Sequence, residues 1–367
     1  MTIVQEQLLS IPRSALWGEK PDANLVQYVS WSDIINLAGV QTVRGLLLDG
    51  ISLLPEELMP DEDSVMEIAG KQNKIELHNQ VHRDTIVQID QALRSNGITA
   101  VFMKGQTAAL RYPKPLHRQP GDIDFVVRKS DFPKTLDVLE GLGKVNRTLV
   151  HEHHGMAWVN GVTVEPHYKV HNYQRPSTDK AMKEMFSEVF PDKLINADID
   201  GHKVDIFPPT FESVFLISHM VNHVYEEGLG LRQVVDYAMF LNRCSNKIDW
   251  LQHDEWLSKM RMQRSFRIFT CICVNYLGLP LPSQVQPFSF KEEEWVRNLM
   301  MDIMTVGNFG RGKYVFQHNG WKDALRNYIW VLNRCASLGF VCPSEAKWWV
   351  VSKLTRFFWK KKMNNNK

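Results

Sequence analysis

Two aspartates, Asp122 and Asp124, sit two residues apart at the mouth of an apolar run, Phe125-Val126-Val127. In an extended strand, residues i and i+2 point to the same face, so the two carboxylates project together. Crowded carboxylates repel unless a positive charge lies between them. A hard, oxygen-seeking cation such as Mg²⁺, itself bridging to phosphate oxygens, suits such a pair. Upstream, the apolar run Ile98–Met103 reads as a short buried strand that gives way to Lys104-Gly105-Gln106. This turn has no Cβ at its centre, and backbone N–H groups there can approach an anion. A short helix over Thr107–Tyr112 points its N-terminus the same way. Lys104, Gly105 and Gln106 are therefore the candidate phosphate-binding turn. Lys104 has the alternatives of fixing a carboxylate or lying in solvent. Arg118, just ahead of the aspartates, either braces a γ-phosphate or holds the Pro-rich 113–121 loop.

A third carboxylate comes from farther along. Asn160-Gly161 is a strong hairpin signal between Met156–Val159 and Val162–Val164, and the second strand runs on through Glu165-Pro166-His167. A strand there can lie beside 122–127 and bring Glu165 to the aspartates; the plainer alternative is a surface strand residue. His154 and His167 are candidates for groups supporting these ligands or facing an acceptor, with structural roles equally open. A second Asp-x-Asp, Asp198 to Asp200, serves as a control: it has no Gly turn upstream, and Asp200-Gly201 reads as a hairpin turn in which a carboxylate caps backbone groups.

The combination Lys-Gly, Arg, Asp-Ile-Asp and Glu-x-His resembles the nucleotidyltransferase superfamily. More narrowly it is similar to a bacterial family of uncharacterised nucleotidyltransferases, over roughly residues 30 to 280, with a cousin pattern in nucleotidyltransferase toxins of type IV toxin–antitoxin systems. Gln106 stands where the wider superfamily carries Gly or Ser, and the spacing from Gly105 to Asp122 is longer than its norm. The resemblance implies transfer of NMP from an NTP to a hydroxyl acceptor with release of pyrophosphate. It implies two Mg²⁺ ions on Asp122, Asp124 and Glu165, with Glu165 also polarising the acceptor hydroxyl. The acceptor is open among a tRNA end, a protein, a sugar and a small molecule. The alternative is a catalytically weak nucleotide-binding protein that regulates or scaffolds on the same fold. His219-x3-His223 and Arg232-x3-Asp236 resemble further family helices; interhelix hydrogen bonding is favoured for them over catalysis. A zinc hydrolase on His219 and His223 is poorly supported, because residues 220–222 supply no general-base Glu.

The elements around these residues give an α+β class: a mixed sheet flanked by helices. Residues 1–94 read as an N-terminal helical cap, with helices over Trp31–Asp49 and Asp63–Ser95. His78 and His82, four apart on the latter, make a weak metal pair. Residues 95–207 read as the nucleotidyltransferase core, a mixed sheet with helices on one side, including helices over Ser130–Leu142, capped by Ser130, and Thr178–Val189. Residues 208–367 read as helical throughout, with Thr210 capping a helix to about Glu227 and another over Leu231–Cys244.

Composition fits an ordinary globular protein, at 44% hydrophobic and 23% charged residues. No apolar stretch reaches membrane-spanning length, the N-terminus lacks the pattern of a secretory signal, and five cysteines without a CxxC argue against a disulfide framework or zinc knuckle. A cytoplasmic location is expected. Residues 353–367 hold six Lys/Arg and no acid, leaving 37 basic against 41 acidic residues elsewhere, which excludes a broadly basic nucleic-acid binder. The helix expected over Ser344–Lys362 interleaves aromatic and basic residues. Residues 344–367 offer a local contact for a membrane surface or RNA, although packing on the helical bundle is favoured.

Overall fold

The computed structural model describes residues 1–148, 154–310 and 321–365, with side chains except at 309, 321 and beyond 355. Seven strands form one mixed sheet: β1 Val101–Met103, β2 Ile123–Val126, β3 Lys144–Asn146, β4 Met156–Val159, β5 Val162–His167, β6 Ile195–Ile199 and β7 His202–Ile206. Their order is β3-β4-β5-β2-β1-β7-β6. The centre carries the site: β2 runs antiparallel to β1 and parallel to β5. Both expected hairpins form, and their turns have the left-handed backbone that Asn-Gly and Asp-Gly sequences adopt, with φ of 51° and 76° at Asn160-Gly161 and 52° and 87° at Asp200-Gly201.

Alternation along β2 divides its residues between two apolar layers. Ile123, Phe125 and Val127 pack with Ile86, Ile89 and Leu93 of the 34-residue helix Glu62–Ser95 and with Leu136 and Leu139 of the helix Phe132–Glu140. Val101, Met103 and Val126 join the larger core with Phe211 and Phe215 of the helix Pro209–Tyr225. The helix Pro176–Val189 also belongs to that larger core. Helices thus cover both faces of the sheet, correcting the expectation of one side. The apolar residues of β1 and β2 alternate between two buried layers, so each face needs its own cover.

Several boundaries differ from expectation for local reasons. The single helix expected over Trp31–Asp49 is two, Trp31–Val40 and Arg44–Ile51, broken at Thr42 with φ +56°. The short helix after the Gly turn covers Gly105–Ala109, starting at the glycine itself. Neither Ser130 nor Thr210 is a helix cap: the helices begin after Asp131 and Pro208, and the Thr210 hydroxyl accepts from the Asp249 N–H instead. The helix Leu231–Cys244 has the expected bounds. Among the described residues, no strand follows β7, and no helix is long and apolar enough to cross a membrane. The tail forms the helix Pro343–Asn365, with Trp349 buried in the core; the aromatic and basic side chains from Arg356 onward lie outside the described residues.

Candidate active site

β1 ends at Met103, and Lys104 and Gly105 follow with φ of +56° and +48°. With ψ of −147°, Lys104 is in a sparsely populated backbone region, and such a residue costs about 1–3 kcal/mol and persists where the surroundings fix the conformation. Here the bend points the Lys104 ammonium back over the sheet, 3.2 Å from Asp124 Oδ2. At Gly105, an added Cβ would lie 3.5 Å from the Asp122 carbonyl oxygen. The turn and the Asp-x-Asp segment are therefore in close contact.

Register brings in the third carboxylate. Asp124 is the parallel partner of Glu165 on β5 and the antiparallel partner of Met103 on β1. Ligand atoms of Asp122, Asp124 and Glu165 all lie within 4.8 Å of one another. A second group, His154, Glu165 and His167, meets the same limit and shares Glu165. His167 donates from Nε2 to Asp124 Oδ1 at 2.9 Å, and its ring stands 5.0 Å from that of His154.

The electrostatics of the three carboxylates differ. Burial works against ionisation of Asp124, but the Lys104 ammonium and the His167 hydrogen bond outweigh it and hold its carboxyl well below the usual range. Asp122 is pushed up, first by the charge on Asp124 and then by burial. Glu165 is pushed up to about 8 by burial and by its two acidic neighbours. One ammonium is too little charge for three carboxylates, and Glu165 compensates with a proton. An all-oxygen set short of positive charge fits a hard divalent ion.

These residues form one wall of a cleft of about 260 Å³ that also takes in His219, His223 and Glu227 from the helical side. His219 and His223 lie one turn apart with their rings perpendicular and their Nε2 atoms 3.0 Å apart. Burial and the nearby Lys104 hold both imidazoles, and that of His171, in the neutral form, His223 down to about 3. Glu227 is raised to about 7 by burial and by Glu226. Sequence reasoning missed Glu227 and His171. The signal for Glu227 was the Glu226-Glu227-Gly228 run ending the helix that carries His219 and His223. His171 follows the Glu-x-His strand by four residues, with no pattern of its own.

Two expected nucleotide contacts have other partners. Arg118 lines the cleft, yet its guanidinium grips Asp236 through two 2.7 Å bonds, from Nε to Oδ1 and from Nη2 to Oδ2. The Tyr112 hydroxyl donates to the same carboxylate. Arg232 does not pair with Asp236 one turn away; it donates to the carbonyls of Gln119 and Pro120, while Asn79 and His82 hold those of Arg118 and Gly121. The 113–121 loop is thus bolted from both sides, the role set against phosphate bracing for Arg118. His82 is occupied with backbone, and His78 is exposed. Gln106 is buried away from the cleft, its amide bonded to Asn79 at 2.6 Å. The control Asp-x-Asp also behaves as a turn, although Asp198 rather than Asp200 caps the Gly201 N–H, and Asp200 pairs with Arg83.

A Gly bend after one strand, an Asp-x-Asp on the next and a carboxylate on a parallel third define the nucleotidyltransferase class of enzyme. The chain belongs to the family of uncharacterised nucleotidyltransferases, whose family model matches residues 27–278. Similar solved structures include the antibiotic-resistance factor ANT(2'')-Ia, at 14% identity and a TM-score of 0.34 over 51% of this chain and 91% of that one. Another is an antigenic nucleotidyltransferase-like protein from Paracoccidioides brasiliensis, at 13% identity and a TM-score of 0.33 over 54% of this chain and 93% of that one. No curated protein matches the chain.

Proposed function

We propose that the protein moves NMP from an NTP to a hydroxyl acceptor, releasing pyrophosphate, in a Mg²⁺-dependent reaction at Asp122, Asp124 and Glu165. The observation that carries this function is the convergence of those three carboxylates within 4.8 Å on paired strands beside a Gly bend. They would hold Mg²⁺, which when bound favours the alkoxide form of the acceptor and neutralises charge on the departing pyrophosphate. Lys104 keeps Asp124 ionised and in place, and its own charge faces the cleft where phosphates would lie. Gly105 leaves the bend free of a side chain. Glu165, whose carboxyl burial and its two acidic neighbours push up to about 8, would be the ligand that has to lose a proton for the set to hold a cation, and it is the group we assign to the acceptor side. Arg118, Asp236 and Arg232 act indirectly, fixing the loop that delivers Asp122. We assign the core chemistry to residues 95–207 and the far wall of the cleft to residues 208–367, with residues 1–94 bracing the loop. The test is incubation with each of the four α-labelled NTPs, Mg²⁺ and separate pools of tRNA, protein, sugars and small metabolites. This function requires label in one pool, and its absence from all of them with every NTP would overturn it.

A further inference from the structure

The chemistry of the donor atoms changes across Glu165. On one side lie Asp122 and Asp124, all oxygen. On the other lie His154 and His167, each with an imidazole nitrogen near the same glutamate, that of His167 also hydrogen-bonded to Asp124 and free to ligate once it gives up its proton. Glu165 Oε2 stands 3.8 Å from His154 Nε2 and 3.9 Å from His167 Nε2. With metal–nitrogen bonds of about 2.0–2.1 Å, neighbouring ligands around a tetrahedral ion are about 3.3 Å apart. A contraction of roughly half an ångström would bring the glutamate to that spacing from each nitrogen, and the two imidazoles also offer ligand atoms within 4.8 Å of each other.

The backbone pre-sets this arrangement. Glu165 and His167 are two apart along β5, so they share a face, and His154 is bridged directly to His167 at the end of that strand. The rings of the two histidines tilt toward one another at 44°. His167 is buried and His154 and Glu165 are partly buried, so the site is shielded while one side opens to the cleft. Three protein ligands with a position left open is the pattern of a reactive metal centre, whereas a structural ion is closed by four.

We infer that His154, Glu165 and His167 form a binding site for a first-row transition ion of the Mn²⁺-to-Zn²⁺ series, distinct in ligand chemistry from the Asp122–Asp124 site and joined to it by Glu165. Imidazole suits the later ions of this series, Fe²⁺ to Zn²⁺, better than Mn²⁺, whereas Mg²⁺ prefers oxygen ligands and keeps its waters. The shared glutamate would bridge unlike ions, so this site rests on the transferase function proposed above and makes its metal pair heteronuclear. Asp124, hydrogen-bonded to His167, is next in line to touch the same ion.

Co²⁺ is the probe, because nitrogen ligation in a low-coordinate site gives a visible absorption band that Mg²⁺ cannot produce. Titrating the full chain with Co²⁺ in excess Mg²⁺ should give one such band at one equivalent, displaced stoichiometrically by Zn²⁺. His154→Ala should weaken Co²⁺ binding by more than about tenfold, since loss of even an outer partner costs that much. Asp122→Asn should keep the band, because Asp122 lies outside the His set. A folded His154→Ala protein that retained the wild-type band and affinity would overturn the site, as would a wild type from which Mg²⁺ displaced Co²⁺ at comparable concentration. Stabilisation of the wild type by Mg²⁺ with NTP is read separately: its absence alongside a normal Co²⁺ band would fail the transferase function and leave the ion site standing.

Discussion

Asp124 and Glu165 are register partners on parallel strands, yet their carboxyls are driven in opposite directions. Burial opposes ionisation of both, but the nearest positive charge and the His167 donor are directed to Asp124, which stays ionised, while Glu165 rises to about 8. The two carboxyls thus differ in charge near neutrality, Asp124 ionised and Glu165 holding a proton.

That difference has a sign in pH. The ordinary value for Glu165 is 4.5 and the folded value about 8, so over that window the folded protein retains a proton that the unfolded chain has lost. The stabilising contribution is complete below 4.5 and is lost as pH rises toward 8. The slope is at most about 1.4 kcal/mol per pH unit. Glu165→Gln, always neutral, escapes this loss. In EDTA its melting temperature should therefore gain on wild type steadily from pH 5 to 8. The buried histidines titrate with the opposite sign but are common to both proteins, so they cancel in the difference. A gap that does not change with pH contradicts the assignment.

Asp122 and Asp124 should separate in stability although the proposed transfer requires both. Asp122→Asn removes a charge that Asp124 already disfavours, and chemical denaturation should find it unchanged or slightly more stable. Asp124→Asn removes the negative charge that Lys104 faces and leaves one acceptor oxygen for two donors, Lys104 and His167, in a buried place, and should cost about 3 kcal/mol. Equal losses from the two substitutions would mean that Lys104 does not hold Asp124 in solution.

Much of this site was legible because its signals are local. The strand, the Gly bend, the Asp spacing and the Asn160-Gly161 turn each act within a few residues, and the turn fixes which residues of β5 face the aspartates. The partners of Arg118 and Gln106 were not legible. Arg118 is bound by Asp236, 118 positions later, and Gln106 by Asn79, one polar residue among many on a long helix. Such pairings depend on how helices dock, which periodicity does not encode. The second covered face of the sheet was missed for the same reason.

Arg118 and Asp236 should behave as one unit. Asp236→Ala alone strands a buried guanidinium and should cost about 3–5 kcal/mol. In a double-mutant cycle with Arg118→Met, the coupling energy should reach about 2 kcal/mol or more, within the range for contacting residues. Additive losses would return Arg118 to the list of free phosphate ligands.

Gln106 tests whether the unusual turn residue concerns nucleotide or fold. Gln106→Ala leaves Asn79 and the Arg83 guanidinium short of a partner and should lower stability by about 1–3 kcal/mol. NTP affinity, measured calorimetrically where the variant is folded, should stay within about twofold of wild type. A large affinity change at unchanged stability would place its side chain on the nucleotide.

The most direct measurement follows both ends of one NTP. With Mg²⁺ and a responsive acceptor pool, α-label should move to the acceptor and γ-label should leave as pyrophosphate. EDTA or Asp122→Asn should stop both. γ-label appearing on the acceptor, or α-label moving at the wild-type rate in the Asp122→Asn protein, would contradict nucleotidyl transfer at this site.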